Sequence, residues 1–253
     1  MGCGPSRPSQ GRGAHGSDSR PLTVSAPQGG LQMIPAPQRD YQGRPIHHED
    51  YDLNRTNLNR ALGYVAEYMS GNRQEITLIT VGGAVNTILL RSRETTHDVD
   101  FFSSGLKLAQ SNLLRAASQN AAARSSIPLG ANWLNNSTVL YIGQALQREL
   151  EAEAREQNEV VFGQPGLVVL AAPWRYALCG KIDRLSKRER RPYDLRDAAT
   201  YLNRYIGRHG VRTVPAAQIR QWCARYDKMF SESVVRELDV EFYRMYRKKG
   251  VAL

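Results

Sequence analysis

Two aspartates one residue apart, Asp98 and Asp100, sit inside the stretch RETTHDVDFF at residues 93–102. Val99 separates them and Phe101 and Phe102 follow, so the stretch reads as a β-strand. Side chains alternate along a strand, which puts both carboxylates on one face. Like charges placed side by side repel and lose solvation, so a strand that has only to fold rarely keeps them. Hard cations such as Mg²⁺ prefer carboxylate oxygens and commonly share their coordination with substrate phosphates. The alternative is a strand end whose aspartates face solvent.

A second feature precedes them. The apolar run ITLITV at residues 76–81 leads into Gly82 and Gly83, and the helical stretch AVNTILL follows. Glycines at a strand-to-helix turn let backbone approach a ligand closely, and a helix N-terminus presents free N–H groups to an anion. By itself the pair reads equally as a plain tight turn. Fourteen residues separate Gly83 from Asp98. A phosphate cradle and a carboxylate pair on successive elements suit phosphoryl-transfer chemistry, which is mostly positioning and charge neutralisation.

The stretch VGGAVNTILLRSRETTHDVDFF resembles the signature of the DNA polymerase β-type nucleotidyltransferase superfamily. That signature is a hydrophobic residue, Gly followed by Gly or Ser, a spacer, then Asp-hydrophobic-Asp; the spacer here is slightly long. Arg93 and Thr95 resemble the approach to the aspartates in the abortive-infection (AbiEii-like) toxin branch. Downstream, WRYALCGKIDRL and YDLRDAATYL resemble that branch's helical segment, with Lys181 on one helix and Asp194 and Asp197 on the next. The resemblance spans roughly residues 55–206. It implies a mixed sheet with flanking helices, Mg²⁺ and a nucleoside triphosphate, and transfer of a nucleotide to a hydroxyl on an RNA or protein acceptor. Asp98 and Asp100 would hold the metal, Gly82 and Gly83 would cradle the triphosphate, and Lys181 would neutralise phosphate charge. Asp194 and Asp197 also read as helix-start residues at the positive end of a helix dipole.

Relatives place a third carboxylate on a later strand. In ANWLNNSTVLYI (131–142) that place falls on Asn136, and Glu159 is the nearby acid that could substitute. An amide oxygen can coordinate a hard cation but adds no charge and cannot serve as a general base. Two function classes therefore stand side by side. One is a Mg²⁺-dependent nucleotidyltransferase; the other is a degenerate, non-catalytic relative that binds a nucleotide or a protein partner.

The elements that must position these residues follow from periodicity. Leu58, Leu62, Val65 and Met69 define a helix that stops at Gly71, and residues 75–81 a buried strand. A helix through Leu106, Leu113 and Ala117 ends before Pro128. STVLYI (137–142) reads as a strand, and Leu146, Leu150 and Ala154 as a helix. EVVF and LVVLA form a hairpin around GQPG. From Pro173 onward four helices follow, the third running from Pro215 through Phe230. The expected class is α/β (α+β). It divides into a disordered tail over 1–46, a nucleotidyltransferase-like core over 47–172 and a helical region over 173–253.

Charge and composition bound the partners. The chain carries +10, of which +9 lies in residues 51–253, so the basic part is the folded body and an anionic partner is expected. The run RLSKRERR (184–191) reads as a phosphate contact or, more plainly, as a solvated loop. Cys3, Cys179 and Cys223 are few and far apart, which argues against a disulfide framework or zinc site and for a reducing, cytoplasmic setting. No stretch reaches the ~20 apolar residues of a membrane span. The opening MGCGPS fits an N-myristoylation pattern, with Gly2 as acceptor and Cys3 as a palmitoylation site. Lipidation of both would give peripheral membrane contact; the alternative is a Gly-rich start that matches by chance.

Overall fold

The computed structural model describes Met1, Ile34 and residues 37–187 and 190–253. The lipidation candidates Gly2 and Cys3 lie outside the described residues, as does most of the expected tail. Residues 38–46, assigned to that tail by composition, form a turn closed by an Arg39–Pro45 bridge. Ile34 is buried in the core.

The chain enters through β1 (Leu53–Asn54) and α1 (Arg55–Gly71). Asn54 caps that helix, its side-chain oxygen accepting from the Asn57 N–H at 3.0 Å. Leu58, Leu62, Val65 and Met69 are all fully buried, as their helical spacing predicts. Next come β2 (Ile76–Val81), a π-helical turn (Val85–Leu89), β3 (Thr95–Thr96) and β4 (Val99–Phe102). After α2 (Leu108–Arg124) the strand β5 is only two residues long, Leu134–Asn135. Then follow α3 (Gln144–Gln157) and the hairpin β6 (Val160–Gln164) and β7 (Leu167–Ala171). The helical half is α4 (Trp174–Ser186), α5 (Asp194–His209), α6 (Ala216–Arg225) and α7 (Glu232–Tyr246). A small parallel ladder, β8 (Val214–Pro215) with β9 (Val251–Ala252), ties down the last residues.

The fold is mixed α/β. Five strands form one sheet in the order β5-β4-β2-β7-β6. The apolar β2 sits at its centre, antiparallel to β4 and parallel to β7, as a strand covered on both faces should. Helices α1 and α3 pack against β7, and α4 packs on α5. Residues 31–253 form one compact unit, so the change to helices at Pro173 is a change of element type without a break in packing. Among the described residues no helix is long and apolar enough to cross a membrane.

Four expected elements differ. Strand β4 begins at Val99, so Asp98 stands just ahead of it, and α2 begins at Leu108, leaving Leu106 outside the helix. Residues 137–142 do not extend as a strand; Ser137–Tyr141 is a 3₁₀ turn. The Ser137 N–H donates to Asn135 Oδ1 at 3.0 Å and Thr138 Oγ1 donates to the Phe101 carbonyl at 2.8 Å. Local polar side chains thus take over the backbone partners that a ladder would have used. The third C-terminal helix stops at Arg225 rather than Phe230. Asp227 adopts φ +53°, and the Met229 N–H turns back to Asp183 Oδ1 at 2.9 Å. That reversal brings Lys228 to the site described below.

Candidate functional site

Antiparallel pairing of β2 with β4 places Val81 opposite Asp100. Gly82 therefore begins its turn beside the carboxylate pair, as the order of elements predicts. Gly82 takes φ +73°, a left-handed conformation. A Cβ on Gly83 would lie 1.9 Å from Thr96 Oγ1. Both glycines are thus required by the backbone path as well as open to the cleft. The turn is fixed from behind: buried Asn86 donates through Nδ2 to Tyr201 Oη at 2.8 Å, and Tyr201 Oη donates to the Gly82 carbonyl at 3.4 Å.

Val99 and Phe101 point into the core, and Asp98 and Asp100 point the other way, into a cleft of about 660 Å³ that Gly82 and Gly83 also line. Among the described residues no basic side chain comes within ion-pair distance of either carboxylate. Burial, then the Asp98 charge beside it, pushes the Asp100 carboxyl up to about 6. Burial likewise raises Asp98, and the charge of Asp50 adds to it; the Asn135 amide works in the opposite direction. Two part-buried carboxylates side by side, with no ion pair to either among the described residues, thus raise each other's proton affinity.

The facing wall of the cleft is basic. Arg184 on α4, Lys187 just after it, Arg191 ahead of α5 and Lys228 all line it. Their charges differ in availability. Arg184 Nη1 lies 3.5 Å from Asp194 Oδ1, and Lys187 Nζ donates to Asp183 Oδ2 at 2.7 Å. Arg191 Nη1 donates to the Tyr193 hydroxyl at 3.1 Å. Arg191 and Lys228 form no carboxylate pair among the described residues.

Lys181 also borders the cleft, but its ammonium is engaged. Nζ donates to Asp194 Oδ1 at 2.8 Å and to Asp197 Oδ2 at 2.7 Å, with only 6% of the side chain exposed. Asp197 further accepts two bonds from Arg93, whose guanidinium stacks on Tyr193 at 3.5 Å. Asp194 and Asp197 therefore do more than start a helix. They bind α5 to α4 and to the segment leading into β3.

The third-carboxylate candidates separate. Asn136 turns toward Ile34, whose N–H its Oδ1 accepts at 2.8 Å. The residue in the expected place is its neighbour Asn135, directly opposite Asp100 in the parallel β4–β5 pairing, with Nδ2 3.4 Å from Asp98 Oδ2. Glu159 lies just ahead of β6, at the far edge of the sheet, and pairs with Arg204 at 2.9 Å. Asp98, Asp100, Gly82, Gly83 and Lys181 converge, then, while Asn136 and Glu159 do not.

Sequence reasoning passed over several cleft residues. Asp50 belongs to HHED, a run with no metal-ligand spacing. Asp52 accepts from Thr95 Oγ1 at 3.0 Å and faces His97 Nε2 at 3.3 Å across the mouth. The run RLSKRERR was visible as basic, but nothing local showed that Arg184, Lys187 and Arg191 face the aspartates. Lys228 carried no signal, because the turn after α6 delivers it.

Fold and cleft together define a mixed α/β protein whose sheet and C-terminal helices enclose a cleft with one acidic and one basic wall. The chain belongs to the family described as Domain of unknown function (DUF7582), whose model matches residues 51–249. No curated protein and no solved structure matches it.

Proposed function

We propose that the cleft binds a nucleoside triphosphate together with Mg²⁺, as a nucleotidyltransferase-like site. The observation that carries the reading is the part-buried Asp98–Asp100 pair, free of any basic ion-pair partner among the described residues, in one cavity with Arg184, Lys187, Arg191 and Lys228. Among the described residues no three His, Cys, Asp or Glu side chains gather into a protein-only metal cage. Two carboxylates do suit a hard cation whose remaining ligands are phosphate oxygens and water. Mg²⁺ held there would neutralise phosphate charge and align the reacting group with an acceptor hydroxyl. The basic wall would bind the outer phosphate oxygens by charge-assisted hydrogen bonds. Gly82, with nothing within 4 Å of where a Cβ would stand, leaves room for a phosphate against the backbone. Lys181 is held by Asp194 and Asp197 and contributes little free charge to the ligand.

Asn135 supports a second reading, a binding module that transfers slowly or not at all. An amide opposite Asp100 cannot accept a proton from an acceptor hydroxyl. Transfer, where it occurs, would be directed to a hydroxyl on RNA or protein.

Calorimetric titration with each nucleoside triphosphate, with and without Mg²⁺, tests the common core of both readings. Mg²⁺-dependent binding should appear in the unmodified protein and vanish in Asp98→Asn and Asp100→Asn. Equal affinity in all three proteins would return the pair to a purely structural role. Assays of labelled nucleotide transfer separate the two readings. Asn135→Asp should raise transfer, whereas brisk turnover by the unmodified protein would rule out the non-catalytic module.

A further inference from the structure

Four tyrosines line the cleft, and three of them are engaged. Tyr193 lies under the Arg93 guanidinium, Tyr201 stacks on Trp174 with ring centroids 5.9 Å apart, and Tyr176 meets Tyr226 edge-on at 5.2 Å. Tyr141 is the exception. It is 80% exposed, and among the described residues no ring or cation packs on it. An aromatic ring left in water forgoes the large burial free energy that such a side chain can supply.

Its backbone is nonetheless well held. Tyr141 ends the 3₁₀ turn Ser137–Tyr141, which is fastened to β4 by the bond from Thr138 Oγ1 to the Phe101 carbonyl. The next residue, Ile142, is buried, and its carbonyl accepts from Gln147 Nε2 of α3 at 2.7 Å. A turn pinned at both ends thus presents one uncovered ring on the wall of a cavity whose other rings are engaged and whose acidic and basic side chains suit charged groups. Ionic groups recognise the phosphates of a nucleotide but not its base.

We propose that Tyr141 is the platform on which the base of the bound nucleotide stacks. The inference rests on the triphosphate-binding reading and adds to it the requirement for a planar heteroaromatic group. Every base has a π-face, so stacking of this kind tolerates base identity. The phosphates are held by the two charged walls, and the ring contributes only when a base is attached to them.

Affinities of Mg²⁺-ATP and of Mg²⁺-tripolyphosphate, measured for the unmodified protein, Tyr141→Ala and Tyr141→Phe, test it. Tyr141→Ala should weaken ATP binding about tenfold, within the range measured for single stacked bases. It should leave tripolyphosphate unchanged, and Tyr141→Phe should restore ATP. Since the ring is exposed, truncation should not unfold the protein, which a melting curve confirms. Tripolyphosphate binding with ATP affinity indifferent to Tyr141→Ala would overturn the stacking inference and leave the phosphate site standing. An equal loss for both ligands would also overturn it, since the ring would then serve the phosphates. Failure of both ligands to bind the unmodified protein would remove the triphosphate reading and this inference with it.

Discussion

Two pairs of aspartates border the same cleft, and their environments are opposite. Asp194 and Asp197 are almost wholly buried, yet Lys181, Arg93 and Arg184 surround them. Asp98 and Asp100 are part-buried, with the Asn135 amide, the neighbouring His97 and the more distant Arg184 and Arg191 to offset their charge. Burial of a charge is tolerated when partners replace the lost water and opposes folding when they do not. The first pair therefore holds the helices together. The second is an acid pair that burial and mutual repulsion hold at raised proton affinity.

The comparison breaks most severely at Lys181. Replacing it with Met leaves Asp194 and Asp197 short of their closest cation in the interior. Removing one partner of a buried pair costs about 3–5 kcal/mol, so the urea midpoint should fall sharply. A loss below about 1 kcal/mol, the level of a solvated pair, would show that water reaches the cluster and that the contrast between the two pairs is false.

The opposite substitution should act in the opposite direction. The folded Asp100 carboxyl titrates at about 6, above the unfolded value of about 3.9. Its folded form thus holds the proton more tightly, and the stability it contributes is present at low pH and lost as pH rises through 6. Each tenfold difference in proton affinity between folded and unfolded chain is worth roughly 1.4 kcal/mol. Asp100→Asn should accordingly be more stable than the unmodified apo protein at pH 7.5, by up to about 3 kcal/mol. The two should converge near pH 4. Denaturant curves at the two pH values, without divalent ions, read this directly; a variant less stable at pH 7.5 would mean that Asp100 already has its partner. Millimolar Mg²⁺ should narrow the gap, because a cation removes the repulsion that the variant relieves.

The smallest effect belongs to Glu159. Its pair with Arg204 is partly solvated, and such pairs are worth roughly 0–1 kcal/mol. Glu159→Gln should shift the melting curve little and leave Mg²⁺-nucleotide binding as it was. Loss of that binding would bring Glu159 into the site against its position at the sheet edge.

Much of the local structure was legible because local structure is periodic. Leu58, Leu62, Val65 and Met69 could face one way only on a helix, and Asp100 only the face opposite Val99 and Phe101 on a strand. The hairpin at residues 160–171 was legible for the same reason. The error at STVLYI shows the limit. Its β-branched residues favour a strand, but side-chain oxygens at Asn135 and Thr138 supply the hydrogen bonds that end one. The third-ligand position shows it again. Asn135 and Asn136 are the same residue type in succession, and strand pairing alone turns the first toward Asp98 and the second toward Ile34.

The sequence by itself thus determined which residue types were available and on which face of each element they stand. That follows from covalent geometry and repeats every two or 3.6 residues. Only the tertiary structure decided which charges are neutralised. Arg93 reaches Asp197 across 104 positions and Lys181 reaches Asp194 across 13, while Asp98 and Asp100 receive no such partner among the described residues. A carboxylate's role depends on what stands within a few ångströms of it in a low-dielectric setting. Chain proximity does not encode that distance; the packing of α4 and α5 beside β4 does.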